Sequence, residues 1–182
     1  PESATGNSLA QSEPLWQVGM PLHSTPLKLT QFAKFNGSAI DREDYVLFGS
    51  TQGLLHVVNA SNGKEKFAFL PNEMLENTKQ RESFTNDRKG RWQDMPYGID
   101  GAWTAYTEYA YGMDDGGKVY ATVGTAKSKQ GTVIATGKQL VYGGLRMGGR
   151  SYYALDLADL DNPKLKFHIN PEQAAVNTPL SY

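Results

Sequence analysis

Apolar and polar residues alternate in short runs along much of the chain, and each run ends at glycine, asparagine or proline. Three such runs follow one another in the first half: residues 45–48, 54–59 and 64–70. The turn between the last two contains Asn62 and Gly63, a pair typical of tight hairpins, and Pro71 ends the third run. The stretch 45–71 is therefore predicted to be a three-stranded antiparallel meander.

The order of this meander recurs near the end of the chain, in residues 139–171. An apolar strand, a glycine-rich turn at 143–149 and two further strands follow one another, and Pro171 closes the unit as Pro71 closes the first. Repetition of one β unit is typical of stacked or radially arranged folds, with propellers as the leading case. The chain is predicted to be all-β, with antiparallel blade-like meanders that form part of a β-propeller.

The segments around the repeats are more weakly patterned. A strand is expected at 27–35, a loop at 36–44 and a hairpin at 103–123. A short helix is expected at 72–78, with Asn72 as its cap.

These patterns give three domain boundaries. Residues 1–14 are polar and are predicted to be a flexible lead-in. Residues 15–171 are predicted to be the partial propeller, and residues 172–182 carry no clear pattern and are interpreted as a tail.

Two linked motifs carry a resemblance to a known family. The first, FGSTQGLLHVVNASNGKEKFAFLP (48–71), resembles a blade of quinoprotein-like propellers. The second, QLVYGGLRMGGRSYYALDLADLDNP (139–163), narrows this resemblance together with GIDG (98–101). The combination resembles the C-terminal β-propeller domain of the PilC/PilY family, whose members are associated with the tips of type IV pili. The resemblance covers about residues 15–171, and residues 118–136 are an insertion relative to its usual spacing.

The resemblance implies a function. A module of this family is expected to be non-enzymatic and to support pilus assembly, resistance to retraction and surface adhesion. Its expected partners are type IV pilus subunits or minor pilins, a host or abiotic surface, and the rest of the parent chain or another copy. The expected location is the cell surface, pilus tip or outer membrane of a Gram-negative bacterium, within a secreted parent protein.

Two other classes of propeller protein remain as alternatives. A quinoprotein-type dehydrogenase shares the GKExxxF-like repeat, but it would need many tryptophan-docking repeats, and this chain has three tryptophans. A scaffold propeller of the outer-membrane assembly type is the second alternative, and the pairing of GGLRMGG with SYYALD argues against it. The chain is therefore expected not to be an enzyme.

The composition narrows the range of partners. The 182 residues include 18 basic and 19 acidic side chains, so no global field draws the chain to nucleic acid or to an anionic membrane. Cysteine is absent, which excludes disulfides and thiol catalysis. No apolar run approaches the ~18 residues of a membrane-spanning helix. Neither nucleic acid nor a membrane span is predicted.

The sequence offers few groups for catalysis. The three histidines, His23, His56 and His168, are scattered and none has the spacing of a metal ligand. His56 lies among apolar strand residues and is expected to be a hydrogen-bonded core histidine. No catalytic residue is predicted.

Two polar segments could suggest a bound ligand, but both are interpreted as turns. The glycines of 143–149 precede a strand rather than a helix, so they are expected to supply positive φ angles and not a phosphate-binding loop. Asp156, Asp159 and Asp161 lack the spacing of a calcium loop. The calcium loop of the family, of the type Asp-x-Asp-x-Asp, is expected beyond the end of this chain. No cofactor or metal is predicted within it.

The section from residue 79 to residue 103 is the strongest candidate for a partner surface. Its first part is densely charged with both signs, and a solvated loop is the simpler interpretation. Its second part is rich in aromatic residues, for which core packing is the alternative. Because Trp, Tyr and Arg are enriched at interface hot spots, a partner surface is proposed with five residues: Arg88, Lys89, Arg91, Trp92 and Trp103.

Overall fold

A computed structural model describes residues 18–82 and 95–171 of the chain, and strands dominate their regular structure. The strands of the first half are β1 (Leu27–Asn36), β2 (Ala39–Gly49), β3 (Leu55–Asn59) and β4 (Glu65–Phe69). Those of the second half are β5 (Trp103–Glu108), β6 (Ala110–Met113), β7 (Val119–Thr122), β8 (Thr125–Lys127), β9 (Val133–Thr136), β10 (Lys138–Gly144), β11 (Tyr152–Asp156) and β12 (Lys164–Ile169). Two short helices, α1 (Asn72–Glu76) and α2 (Thr78–Arg81), and a 3-10 turn (Arg146–Gly148) complete the elements. The predicted all-β fold class is confirmed.

Two antiparallel meanders of four strands each form the body of the molecule. In the first, β1 to β4 pair in sequence order. In the second, β5 pairs with β10, which continues through β11 to β12. The predicted repeats 45–71 and 139–171 supply the last three strands of these meanders. A four-stranded antiparallel meander is the unit from which propeller blades are built, and their assembly into a propeller stays a prediction.

The segment 36–44, expected to be a loop, instead continues the first hairpin. Pairing of β1 with β2 runs to Asn36 and Ala39, and Gly37 in the two-residue turn has a φ of 68°. The residues after the turn, 39–43, are exposed on both faces of the strand. No burial pattern therefore marks them as a strand in the sequence, and only pairing with β1 does.

The strands β6 to β9 are inserted between the first and second strands of the second meander. The β6–β7 hairpin leaves that meander and joins the first sheet, where Ala33 of β1 pairs with Ala121 of β7. The strands β8 and β9 form a separate two-stranded sheet. The predicted hairpin at 103–123 is thus divided, because the chain changes sheets between Glu108 and Ala110.

The short helices differ in detail from the single helix expected at 72–78. Pro71, not Asn72, occupies the cap position of α1. The side chain of Asn77 caps α2 and accepts from the backbone N–H of Gln80 over 3.1 Å. Met74 is buried and fixes α1 against the core. No described helix has both the length and the apolar character that crossing a membrane requires.

The core lies between the two meanders. Leu47, Leu55 and Val57 face it from the first sheet, and Val141 and Leu155 face it from the second. Full burial of a side chain of this size contributes about 1.5–3 kcal/mol to the free energy of unfolding. The rings of Phe69 and Tyr153 meet edge to face across the two sheets, with centroids 5.5 Å apart. The two meanders therefore share one core.

Candidate functional site

The partner surface predicted from the sequence lies largely outside the described residues. Four of its members fall in residues 83–94: Arg88, Lys89, Arg91 and Trp92. Trp103 begins β5 and is only 5% exposed. Its ring lies so close to the neighbouring strand that a Cβ on Gly143 would come within 2.2 Å of it. Trp103 therefore packs in the core of this chain instead of presenting its ring to a partner.

A buried carboxylate, that of Asp100, joins three separate segments. The Asp100 side chain is 0% exposed, and its Oδ1 lies 2.8 Å from His23 Nδ1. Arg146 Nη1 donates to Asp100 Oδ2 over 2.7 Å. His23 precedes β1, Asp100 precedes β5 and Arg146 follows β10, so the cluster ties the segment before the first meander to the paired strands β5 and β10 of the second.

Solvent moderates the strength of this cluster. About half of the His23 and Arg146 side chains is exposed, so water screens the charge of Arg146 while the carboxylate itself is buried. Removing a partner from a buried charge is costly, because the charge keeps its desolvation penalty without compensation. Asp100 therefore depends on both basic side chains.

The glycine-rich turn 143–149 does not have the conformation expected from the sequence. Its glycines lack the predicted positive φ angles, and Arg146 has one instead, at 51°. Among the described residues, Arg146 is the only non-glycine residue with a positive φ. The left-handed conformation costs an L-residue roughly 1–2 kcal/mol. It directs the guanidinium of Arg146 at Asp100.

Close packing explains the glycines of this turn. A Cβ on Gly148 would lie 1.6 Å from the carbonyl oxygen of Gly98, and one on Gly149 would lie 2.3 Å from Glu73 Oε1. Such separations are far inside van der Waals contact, so a side chain at Gly148 would displace the backbone of Gly98, whereas one at Gly149 would displace the side chain of Glu73. The turn is rich in glycine because it is wedged between the 98–101 segment and α1.

The 98–101 segment is also held from the side of α2. Gln80, which is almost fully buried, accepts from the backbone N–H of Gly98 over 3.0 Å and donates to the carbonyl of Thr51 over 3.0 Å. Thr51 lies in the turn between β2 and β3, so one amide side chain connects the two turns. Asp100 is thereby placed by backbone contacts on one side and by Arg146 on the other.

A serine, a histidine and a glutamate stand in the order of a catalytic triad between β2 and β4. Ser50 Oγ lies 3.0 Å from His56 Nε2, and His56 Nδ1 lies 2.5 Å from Glu65 Oε2. A nucleophile, its base and an orienting carboxylate have this arrangement. However, Ser50 is 1% exposed and its hydroxyl donates to the carbonyl of Leu54 over 3.3 Å. The prediction of a hydrogen-bonded core histidine at His56 is confirmed. The hydrogen bonds of Ser50, His56 and Glu65 stabilise the turn between β2 and β3.

The aspartates between β11 and β12 form a turn. Asp159 Oδ1 accepts from the backbone N–H of Asp161 over 2.9 Å, and its Oδ2 accepts from the side chain of Asn162 over 2.9 Å. The Asn162 amide, followed by the backbone N–H of Asp161, holds the pKa of Asp159 below its ordinary value. Asp161 also pairs with Lys66 of β4. Within residues 18–82 and 95–171, no group of three or more His, Asp or Glu side chains is arranged to hold a metal ion.

Sequence reasoning identified the two motifs that meet at Asp100 but not the contact between them. GIDG belongs to the motifs that carry the resemblance, and the sequence predicts Arg146 only as a turn residue. The sequence does contain a signal for this contact. Asp100 and Arg146 each lie between glycines, and glycines allow the two backbone segments to approach closely. Neither His23 nor Glu65 carries any such local signal, because His23 reaches an aspartate 77 residues away and Glu65 reaches His56 only through the pairing of β3 with β4.

No family model matches the chain. It is 28% identical over 162 residues to a protein of Xylella fastidiosa described as a type IV pilus biogenesis factor PilY1 homolog. This match covers 86% of the chain. The resemblance to the PilC/PilY family is therefore confirmed. The chain spans only 11% of the length of that relative.

A solved structure is also similar to this chain. It is the crystal structure of the Pseudomonas aeruginosa PilY1 C-terminal domain, with a TM-score of 0.37 and 21% sequence identity. The alignment covers 72% of the present chain and 19% of that one.

Proposed function

We propose that this chain is a non-enzymatic β-sheet module of a type IV pilus biogenesis protein. The observation that carries the proposal is the sequence match to the PilY1 homolog across 86% of the chain. In this role the module supports pilus assembly, holds pili against retraction and contributes to surface adhesion. The parent protein acts at the cell surface, pilus tip or outer membrane of a Gram-negative bacterium.

The chemistry of the described residues supports a structural role. The polar groups that resemble catalytic machinery, above all Ser50 and His56, are buried and bonded within turns. Asp100 and Arg146 likewise neutralise one another at the junction of the two meanders. These groups stabilise a rigid scaffold, and binding on such scaffolds is carried by the loops.

A deletion in the parent gene tests the proposed role. Removal of the codons for residues 15–171 is expected to reduce the number of surface pili and to abolish twitching motility, since assembly loses its tip-associated support. Electron microscopy and a motility assay measure both, and the intact gene restores them. Normal piliation and motility in the deletion strain would contradict the proposal.

We further propose that the segment 83–94 contacts a pilus subunit or minor pilin. It joins α2 to the 98–101 segment, and its basic and aromatic composition matches that of interface hot spots. The proposed contact residues are Arg88, Lys89, Arg91 and Trp92.

A triple substitution tests this contact. Arg88→Ala, Lys89→Ala and Arg91→Ala together should weaken binding to a purified minor pilin about tenfold or more, since an interface arginine contributes ~1–2 kcal/mol. The matched control is Lys127→Ala with Lys129→Ala, which removes exposed charges from the β8–β9 hairpin. The melting temperature should stay within about 3 °C in both variants. Unchanged pilin binding in the triple variant would contradict the proposed contact and favour the interpretation of the segment as a solvated loop.

A further inference from the structure

An asparagine directly followed by a glycine occurs twice in the sequence, as Asn36 with Gly37 and as Asn62 with Gly63. This pair is chemically reactive, because the backbone nitrogen of the glycine can attack the side-chain amide of the asparagine and glycine has no side chain to obstruct the attack. Both pairs lie in exposed turns, and a Cβ at either glycine would meet no heavy atom of a non-neighbouring residue within 4 Å. Crowding therefore does not distinguish the two pairs, but their hydrogen bonds do.

The turn at Asn62 restrains the atoms that would react. The backbone N–H of Gly63 donates to the carbonyl of Asn59 over 2.9 Å. Asn62 Oδ1 accepts from the backbone N–H of Lys64 over 2.9 Å, so a neutral donor holds the side chain over the turn. The Gly63 nitrogen must lose its proton before it can attack, and a hydrogen bond to a carbonyl opposes that loss. The fold therefore protects Asn62.

The turn at Asn36 leaves the attacking nitrogen accessible. The pairing of β1 with β2 ends at Asn36 and Ala39, so Gly37 lies in the two-residue loop outside the ladder, with a φ of 68°. In such a hairpin the flanking residues make the ladder hydrogen bonds, and the N–H of the first loop residue stays in contact with solvent. The Gly37 nitrogen can therefore lose its proton to a base in solution.

A cation is placed at the side-chain oxygen of Asn36. Lys118 Nζ donates to Asn36 Oδ1 over 2.5 Å. The pairing of Lys34 with Tyr120 positions β7 beside β1, and the backbone N–H of Lys118 donates to Asp114 Oδ1 over 2.8 Å. Attack on the amide of Asn36 moves negative charge onto Oδ1, and a positive charge held at that oxygen stabilises it.

We propose that Asn36 is a site of spontaneous deamidation in the folded chain, promoted by Gly37 and Lys118. The Gly37 nitrogen gives its proton to a solvent base and forms a bond to Asn36 Cγ. The bond from Cγ to Nδ2 then breaks, and that nitrogen takes a proton from solvent and leaves as ammonia. The product is a cyclic succinimide that includes the backbone nitrogen.

Water completes the reaction by opening this ring at either of its carbonyl carbons. Breakage of the bond from the Gly37 nitrogen to Cγ gives aspartate at position 36. Breakage of the bond from the same nitrogen to the main-chain carbonyl carbon gives isoaspartate. The net reaction consumes water and releases ammonia, so it requires no oxidant, reductant or enzyme.

Either product changes the tip of the first hairpin. Aspartate places a carboxylate against Lys118, so a contact with a neutral amide becomes an ion pair beside the existing pair of Lys34 and Asp114. Isoaspartate adds a methylene group to the backbone at position 36, which disturbs the register of Asn36 with Ala39. The modification is independent of the proposed pilus role.

Incubation of the full chain in mildly alkaline buffer, followed by proteolysis and peptide mass spectrometry, tests the proposal. We expect conversion of amide to acid about tenfold faster at Asn36 than at Asn62, since the hydrogen bond of the Gly63 N–H and the charge of Lys118 favour the same site. In denaturant, where both contacts are lost, the two asparagines should react at similar rates. The native rate at Asn36 should fall in mildly acidic buffer, because fewer Gly37 nitrogens lose their proton.

Substitutions separate the contribution of the lysine from that of the turn. Lys118→Ala should slow the reaction at Asn36 about two- to fivefold, the size expected for an exposed charge, and should leave Asn62 unchanged. Lys118→Arg keeps the positive charge and should restore most of the rate. Asn36→Gln is the matched control, because its longer side chain would have to close a larger ring, so no acid should form at position 36. All three variants should melt within about 3 °C of the parent.

Four results would overturn the proposal. A native rate at Asn62 equal to or above that at Asn36 would show that the fold does not select Asn36. An Asn36 that stays intact in the native chain but reacts in denaturant would show that its turn protects it. An unchanged rate in Lys118→Ala would remove the role of the lysine. Release of ammonia with a covalent link between Lys118 and Asn36, in place of uptake of water, would identify a cross-link between the two side chains instead.

Discussion

At the scale of single residues, Arg146 combines a strained backbone with a buried ion pair. Glycine, the usual residue at a φ of 51°, would adopt this conformation without cost. An arginine stands there because its guanidinium reaches the dry carboxylate of Asp100. At this position the strained backbone destabilises the fold, and the ion pair with Asp100 offsets that cost.

Two substitutions at this position separate the strain from the pair. Arg146→Gly and Arg146→Ala both remove the guanidinium, but only glycine also relieves the left-handed backbone. The glycine variant should therefore be more stable than the alanine variant by about 1 kcal/mol in chemical denaturation. Equal stability of the two variants would show that the backbone of Arg146 is not strained.

The buried carboxylate itself gives a second prediction. Asp100→Asn keeps the shape of the side chain but leaves Arg146 and His23 against a neutral amide. The free energy of unfolding should fall by about 1–3 kcal/mol, the range for lost hydrogen bonds to charged groups. Asp115→Asn, in the exposed turn before β7, should change it by less than about 0.5 kcal/mol. A loss at Asp100 no larger than at Asp115 would argue against its role as a junction.

At the scale of elements, the pairing of β5 with β10 depends on one glycine. Gly143 lies directly opposite Trp103 in this pair and leaves room for the indole ring. Gly143→Ala should cost about 1–3 kcal/mol, because the added methyl group overpacks a core contact. Gly116→Ala, whose new Cβ would meet no heavy atom of another residue closer than 3.3 Å, serves as the control in thermal melts. Similar melting temperatures for the two variants would show that Trp103 can move aside.

The elements that the sequence predicted well are those with a local signal. The meander strands β3, β4, β11 and β12 are bounded by turns that glycine, asparagine, aspartate or proline mark in the sequence. The start of β2 was missed because residues 39–43 are exposed on both faces and show no alternation. The docking of β7 on β1 was also missed, since its partner lies far away in the chain.

The candidate site shows the same division. The sequence predicts 143–149 as a turn, but the predicted reason for its glycines, positive φ angles, is wrong. Gly148 and Gly149 are instead explained by close contacts with Gly98 and Glu73 from other elements. The burial of Trp103 likewise follows from its register opposite Gly143, which composition does not reveal.

At the scale of the whole molecule, each meander exposes apolar side chains on its outer face within residues 18–82 and 95–171. On the first sheet, the cross-strand pair Phe35 and Ile40 is exposed. On the second, Tyr106, Tyr152 and Phe167 are exposed on the face opposite to Trp103. Propeller blades cover such faces with their neighbours, and propellers typically close with 4–8 blades.

The isolated chain is therefore expected to associate. Size-exclusion chromatography with light scattering should give a dimer or a larger species, and the addition of the flanking parts of a parent protein should return a monomer. Replacing Tyr152 and Phe167 with serine should reduce association, because the exposed apolar area falls. A stable, cooperatively melting monomer of the unmodified chain would contradict the hypothesis that the chain forms only part of a propeller.

The docking of the inserted hairpin on β1 also has a consequence for the order of folding. Phe32 and Thr122 pair across about ninety residues of chain, so β1 presents an open edge until β7 has been made. At ribosomal rates this delay is roughly 5–20 s. An unpaired edge of that duration invites pairing with other chains. We therefore expect the nascent chain to associate with other chains most readily before Thr122 has left the ribosome.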